Sequence, residues 1–275
     1  MRIRPQVSSG FLCLLAALSL ACTTIERRAD GNLPETGKVV DLSYPFDERA
    51  AYWPTGKSFQ HEKVAFGQTE GGYFYSSFNY AANEHGGTHM DAPIHFAEGK
   101  LTVDQIPVER LIGPGVKIDV REAASRDRDY RLGSREIQEW EARHGTIPRG
   151  AIVLVNTGWG RHWGDKLKYL GSDKPGDASD LHFPGIAQDA AELLAKQRDV
   201  AMVGIDTASL DYGPSKDFIV HRILLGANIP GLENVAALDS LPETGFRVIA
   251  LPMKIGGGSG GPCRIVALIG EPGAK

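Results

Sequence analysis

Ala151-Ile152-Val153-Leu154-Val155-Asn156 is an apolar run with no polar break until its last residue. A half-exposed strand alternates apolar with polar side chains, so a short unbroken run of β-branched residues reads as a strand covered on both faces. Four further runs share the pattern, each flanked by Gly, Pro or Asp: Val116 to Val120, Val200 to Asp206, Arg247 to Met253 and Arg264 to Gly270. Between them lie helical spacings. Ser134 to His144 opens on Ser134 with Glu136 in its first turn, and Ile186 to Gln197 places Ile186, Ala190, Leu193, Leu194 and Gln197 along one side. Strands outnumber helices, which predicts an α/β single domain with a mixed β-sheet or barrel-like β core flanked by helices rather than a regular βαβ repeat.

The chain has 275 residues, 42% of them hydrophobic and 23% charged. That apolar content suits one folded core and excludes a disordered chain, and no run is long enough for a multi-span membrane protein. A net charge of -4 without a basic block excludes a nucleic-acid partner held by phosphate contacts. The first 21 residues stand apart. Arg2 and Arg4 precede an apolar run from Phe11 to Cys22, too short to span a bilayer, so Met1 to Ala21 is expected to be a secretory signal. Leu18-Ser19-Leu20-Ala21-Cys22 has the shape of a lipobox, which makes Cys22 a candidate lipid anchor in the cell envelope, with a soluble periplasmic product as the alternative. Residues 22–38 are expected to be a polar tether and residues 39–275 the folded domain. Only Cys263 then remains in the domain, so no internal disulfide is expected.

Eight histidines against three cysteines direct attention to residues 84–96, Glu-His-Gly-Gly-Thr-His-Met-Asp-Ala-Pro-Ile-His-Phe. His85, His89, Asp91 and His95 are all odd-numbered, so an extended segment would project all four to one side, while Gly86, Gly87 and Pro93 oppose a helix. Imidazoles with a carboxylate suit a borderline divalent ion, zinc, manganese or iron, and leave coordination positions open. No His-Glu-x-x-His and no Gly-x-Ser-x-Gly occurs, and Cys263 lacks an activating motif. Metal-assisted hydrolysis is therefore preferred to a covalent nucleophile. Trp53, Tyr73, Phe74 and Tyr75 are candidates for an aromatic wall. The glycine-rich stretch 256–262 reads as a flexible loop without the Lys-Ser/Thr ending of a phosphate cradle, and His61, His144, His162 and His182 read as ordinary structural histidines.

His85-Gly86-Gly87-Thr88-His89-Met90-Asp91-Ala92-Pro93-Ile94-His95 resembles the His-x-Gly-Thr-His-x-Asp-x-Pro-x-His signature of the cyclase family, which includes bacterial kynurenine formamidase and isatin hydrolase. The resemblance extends through Asp41-Leu42-Ser43, Trp53-Pro54, Gly204-Ile205-Asp206-Thr207, Ser209-Leu210-Asp211 and Gly231-Leu232-Glu233-Asn234 to Ala250-Leu251-Pro252-Met253-Lys254. It implies the family's swivelling β/β/α fold. It also implies that His85, His89 and Asp91 bind one divalent ion, Zn or Mn, that with two ions per subunit Asp91 bridges to a second held by His221, with Glu233 contacting one or both, and that His95 is the catalytic acid/base. Trp53 falls where the family has a substrate-contacting aromatic, although Trp-Pro-Thr-Gly stands here in place of Trp-Pro-Gly-Asp. The implied reaction is hydrolysis of a small non-peptide amide, an aryl formamide or a cyclic amide, by a homodimer or homotetramer. Lactone hydrolysis or dehydration, and an envelope metal- or ligand-binding lipoprotein without turnover, are the competing expectations.

Overall fold

A computed structural model describes residues 37–270. The expected signal and the Cys22 anchor lie outside the described residues, as does the expected tether except for Gly37 and Lys38. Those two are not tether. They open strand β1 (Gly37–Asp41) and pair with Gly270 and Ile269. Along the chain follow β2 (Gln60–Gln68), β3 (Phe74–Ala81), β4 (His89–Asp91), β5 (Ile112–Asp119), α1 (Arg121–Arg126), β6 (Arg131–Leu132), α2 (Ser134–His144), β7 (Ile152–Asn156) and α3 (Lys166–Leu170). The remainder is β8 (Gly185–Ile186), α4 (Gln188–Gln197), β9 (Met202–Ile205), α5 (Ile219–Gly226), β10 (Gly231–Glu233), β11 (Phe246–Pro252) and β12 (Gly260–Gly270).

The main sheet runs β1-β12-β11-β5-β7-β9-β10-β4, and β4 pairs back onto β12, so seven strands close into a barrel with β1 added outside. Strand β12 makes closure possible. Its first residues, Gly260 to Pro262, pair with β4, and its last, Val266 to Gly270, pair with β1. Strands β5, β7, β9 and β10 are parallel and the rest antiparallel, the mixed arrangement that the apolar runs predict. Covering on both faces is explicit in β7. Ile152 and Leu154 point into the barrel with Met90, Leu232, Val248, Ala250 and Ile265, whereas Val153 and Val155 face Ile137 and Trp140 of α2, Leu194 of α4 and Leu224 of α5. Each such buried side chain contributes about 1.5–3 kcal/mol.

Helix α2 spans the expected residues, but α4 begins at Gln188 because Gly185 and Ile186 pair with Arg131 and Leu132 as a short ladder. The β2–β3 hairpin has no counterpart among the expected strands. Its residues are mostly exposed and stay outside the core, and Tyr73, Phe74 and Tyr75 lie at its tip, each at least half exposed, away from the cavity described below. Strand β5 passes close to Phe246, and a Cβ at Gly115 would lie 2.0 Å from that ring. Gly115→Ala is therefore expected to destabilise the domain by about 1–3 kcal/mol, read as a lower urea midpoint at unchanged slope.

Candidate metal centre

The centre is assembled on the outside of the barrel, where β4 and β10 run antiparallel. Met90 and Leu232 point inward and are fully buried, so the alternation of each strand turns His89, Asp91 and Glu233 outward. Glu233 is directly opposite His89, and Gly231 is opposite Asp91. The expectation of one extended segment from His85 to His95 holds only for His89–Asp91. Gly86 and Gly87 instead turn the chain beneath Tyr52 and Phe46. A Cβ at Gly86 would lie 2.0 Å from the Tyr52 ring, and Gly87 has a φ of +59°. Pro93 then starts a 3-10 turn that ends on His95. His85 and His95 nevertheless meet, with rings stacked at 3.7 Å and 17°.

His221 comes from α5 and Glu233, twelve positions later, from β10, so the two do not share one helix. His85 Nδ1 is 2.6 Å from Asp91 Oδ1, and His89 Nε2 is 3.2 Å from that same oxygen. His221 Nε2 lies 3.3 Å from Asp91 Oδ2 and 3.1 Å from Glu233 Oε1, while Glu233 Oε2 is 3.4 Å from His89 Nε2. Two donor groups result, His85–His89–Asp91 and Asp91–His221–Glu233, with Asp91 common to both. The outer nitrogens are committed elsewhere. His89 Nδ1 donates to the Gly87 carbonyl at 3.0 Å, and His221 Nδ1 donates to Asp211 Oδ2 at 2.7 Å. In the neutral ring each bond leaves Nε2 with its lone pair toward the cluster, the form that a metal ion would take up. Asp211 also accepts from the backbone N–H groups of Val220 and His221 at 3.1 Å, which ties the start of α5 to the centre.

Burial alone would raise the Asp91 carboxyl, but the imidazoles of His221, His85 and His89 gathered around it hold it well below the usual carboxylate range. Glu233 is pushed up by burial and by the Asp91 charge. Burial works against a charged imidazole at His89, yet Asp91 raises it to about 9; His221 is likewise raised by Asp211, Asp91 and Glu233. His95 behaves oppositely: burial lowers it to about 4 despite the attraction of Asp91. The cluster thus holds two buried carboxylates that attract positive charge. His89 Nε2 is also buried without a hydrogen-bond partner. An orphaned nitrogen aimed at two carboxylates is costly in a purely hydrogen-bonded site and ordinary for a metal ligand, so this donor set fits a divalent ion.

Above the cluster opens a cavity of about 260 Å³. Trp53 lines it, joined by Phe96 and Phe218, which no sequence pattern marks; the Trp53 and Phe218 rings are 6.0 Å apart. Phe218 has a φ of +48°, a conformation unusual for a bulky residue and one that recurs at functional sites. The four remaining histidines stay out of the site: His61 stacks on Phe78, His144 pairs with Glu243, His182 with Asp129, and His162 packs on Trp159. Cys263 is a free thiol that burial pushes up, which disfavours it as a nucleophile.

A barrel carrying a buried histidine–carboxylate cluster at the base of an aromatic pocket suits metal-dependent hydrolysis. Residues 40–212 match the family model Cyclase, described as "Putative cyclase". The chain belongs to that family. It is 35% identical to isatin hydrolase of Roseibium aggregatum over 216 residues, 75% of this chain and 80% of that protein. It is also 28% identical to kynurenine formamidase of Bacillus thuringiensis over 84% of this chain and 98% of the other. Isatin hydrolase A from Ralstonia solanacearum superposes with a TM-score of 0.76 at 34% identity, covering 84% of this chain and 92% of that one. Fold, donor set and relatives together make the chain a metal-dependent amidohydrolase.

Proposed function

We propose that the protein hydrolyses the C–N bond of a small, uncharged aromatic amide, a cyclic amide of the isatin type before an aryl formamide. One observation carries the reading: both donor groups and His95 face a single aromatic-lined cavity. His85, His89 and Asp91 would hold a divalent ion, alone or with a second held by Asp91, His221 and Glu233, and it would supply Lewis acidity to lower the pKa of a water and polarise the amide carbonyl. His95 is the acid/base, taking a proton from the attacking water and returning it to the departing nitrogen. Stacking on His85 orients its ring beside the cluster. Trp53, Phe96 and Phe218 bind the aromatic part and exclude water. Among the described residues the cavity is lined by no lysine or arginine, which supports a neutral substrate over one that carries an amino-acid carboxylate.

The protein loaded with Mn²⁺ or Zn²⁺ is expected to open isatin faster than it cleaves N-formylkynurenine, with chelation removing both activities. Metal-loaded protein that hydrolyses neither would overturn the reading. Trp53→Ala is expected to raise KM about tenfold with a smaller change in kcat, as loss of one aromatic contact of about 1–1.5 kcal/mol implies; steady-state kinetics checks this. The order of basic, apolar and small residues in Met1 to Cys22 supports export, with Cys22 as the anchoring point. An assembly of two or four copies is supported by Phe66, Phe74, Phe78 and Tyr80 exposed on the β2–β3 hairpin.

A further inference from the structure

We infer that the glycine-rich stretch 256–262 is a clamp for His85, with Ser259 and Glu84 as positioning residues that select the imidazole tautomer able to ligate metal. This rests on the metal-centre reading above. Ser259 donates its hydroxyl to Glu84 Oε2 at 2.7 Å and its backbone N–H to the same oxygen at 2.9 Å. With its proton so committed, Ser259 Oγ meets His85 Nε2, 2.8 Å away, as an acceptor. The His85 proton is therefore on Nε2, and Nδ1 turns its lone pair toward Asp91 Oδ1, 2.6 Å distant. Two electron-rich atoms that close are stable only around a shared proton or metal ion.

The neighbouring glycines let the backbone close onto this pair. A Cβ at Gly258 would lie 3.0 Å from Glu84 Oε1, and one at Gly260 would lie 2.6 Å from His85 Cε1 and 2.6 Å from the Met90 carbonyl. The stretch is pinned from its other side as well. Gly257 donates its N–H to Asp104 Oδ1, the Gly258 carbonyl accepts from Val103 N–H, and the Ser259 carbonyl accepts from Ala92 N–H, at 2.9, 2.9 and 2.8 Å. It is thus not the flexible loop that its composition predicts, and Gly260 and Gly261 are part of β12. Outer-shell partners of metal-bound histidines are worth about 10–100-fold in metal affinity.

Calorimetric titration of the metal-free full-length protein with Zn²⁺ tests the clamp. Ser259→Ala is expected to weaken Zn²⁺ binding by about 10–100-fold and to shift the visible spectrum of the Co²⁺-substituted protein. Ser259→Thr, which keeps the hydroxyl, is expected to restore both. Because Glu84 acts through Ser259, adding Glu84→Ala to Ser259→Ala is expected to cost nothing further. Should Ser259→Ala fail to fold, Glu84→Ala alone carries the test, with a loss of about tenfold expected. Wild-type Zn²⁺ affinity in the variants overturns the clamp while leaving the metal centre intact. A wild-type protein that takes up no Zn²⁺ overturns the metal centre, and the clamp with it.

Discussion

Asp91→Asn is expected to abolish metal uptake and to lower turnover by about 10³-fold or more, the equivalent of the several kcal/mol that a Lewis acid supplies. The expectation follows from the position of one carboxylate. Oδ1 faces His85 and His89, Oδ2 faces His221, and the residue is 1% exposed, so both donor groups depend on it. The amide is nearly isosteric with the carboxylate, so packing around Met90 and Gly231 is kept. What is lost is the charge. Metal content after dialysis, measured by inductively coupled plasma mass spectrometry beside a circular dichroism spectrum, separates loss of the ion from loss of the fold. Wild-type metal content in Asp91→Asn would contradict the assigned donor set.

His95→Ala is expected to keep the metal and lose about 10²–10⁴ in kcat, the usual contribution of a positioned acid/base. The two variants are thus expected to separate binding from chemistry. The His95 ring stacks on His85 and meets Phe96 edge-on, and it belongs to neither donor group. Truncating it removes a proton carrier and leaves the five proposed ligands untouched. Retention of full activity with bound metal would assign proton transfer to another group.

Much of this was legible in the chain itself. The runs at 151–156 and 200–206 read as strands covered twice, and they are the strands that face the barrel interior on one side and the helices on the other. Closure was not legible, because it depends on Gly260 to Pro262 pairing with the distant three-residue strand His89–Asp91. Composition makes Gly260 and Gly261 look like loop; their missing side chains are what permit the close approach. Residues 84–96 announced a metal site by residue type, yet the geometric argument of one extended face applied to His89 and Asp91 alone. His85 and His95 arrive through a glycine turn and a proline turn. His221 and Glu233 were reachable by family resemblance but by no periodicity, since they come from a helix and a strand. Asp211, Ser259 and Glu84 act through tertiary hydrogen bonds and leave no local pattern. Tyr73 to Tyr75 misled because aromatic content says nothing about which face of a hairpin meets a pocket.

Anomalous diffraction from crystals of the protein soaked in Zn²⁺ or Mn²⁺ tests the central claim most directly. The account predicts a peak about 2.0–2.2 Å from donor atoms of His85, His89 and Asp91, with any second peak against Asp91, His221 and Glu233. A peak bound elsewhere, with these residues paired only to one another, would contradict it.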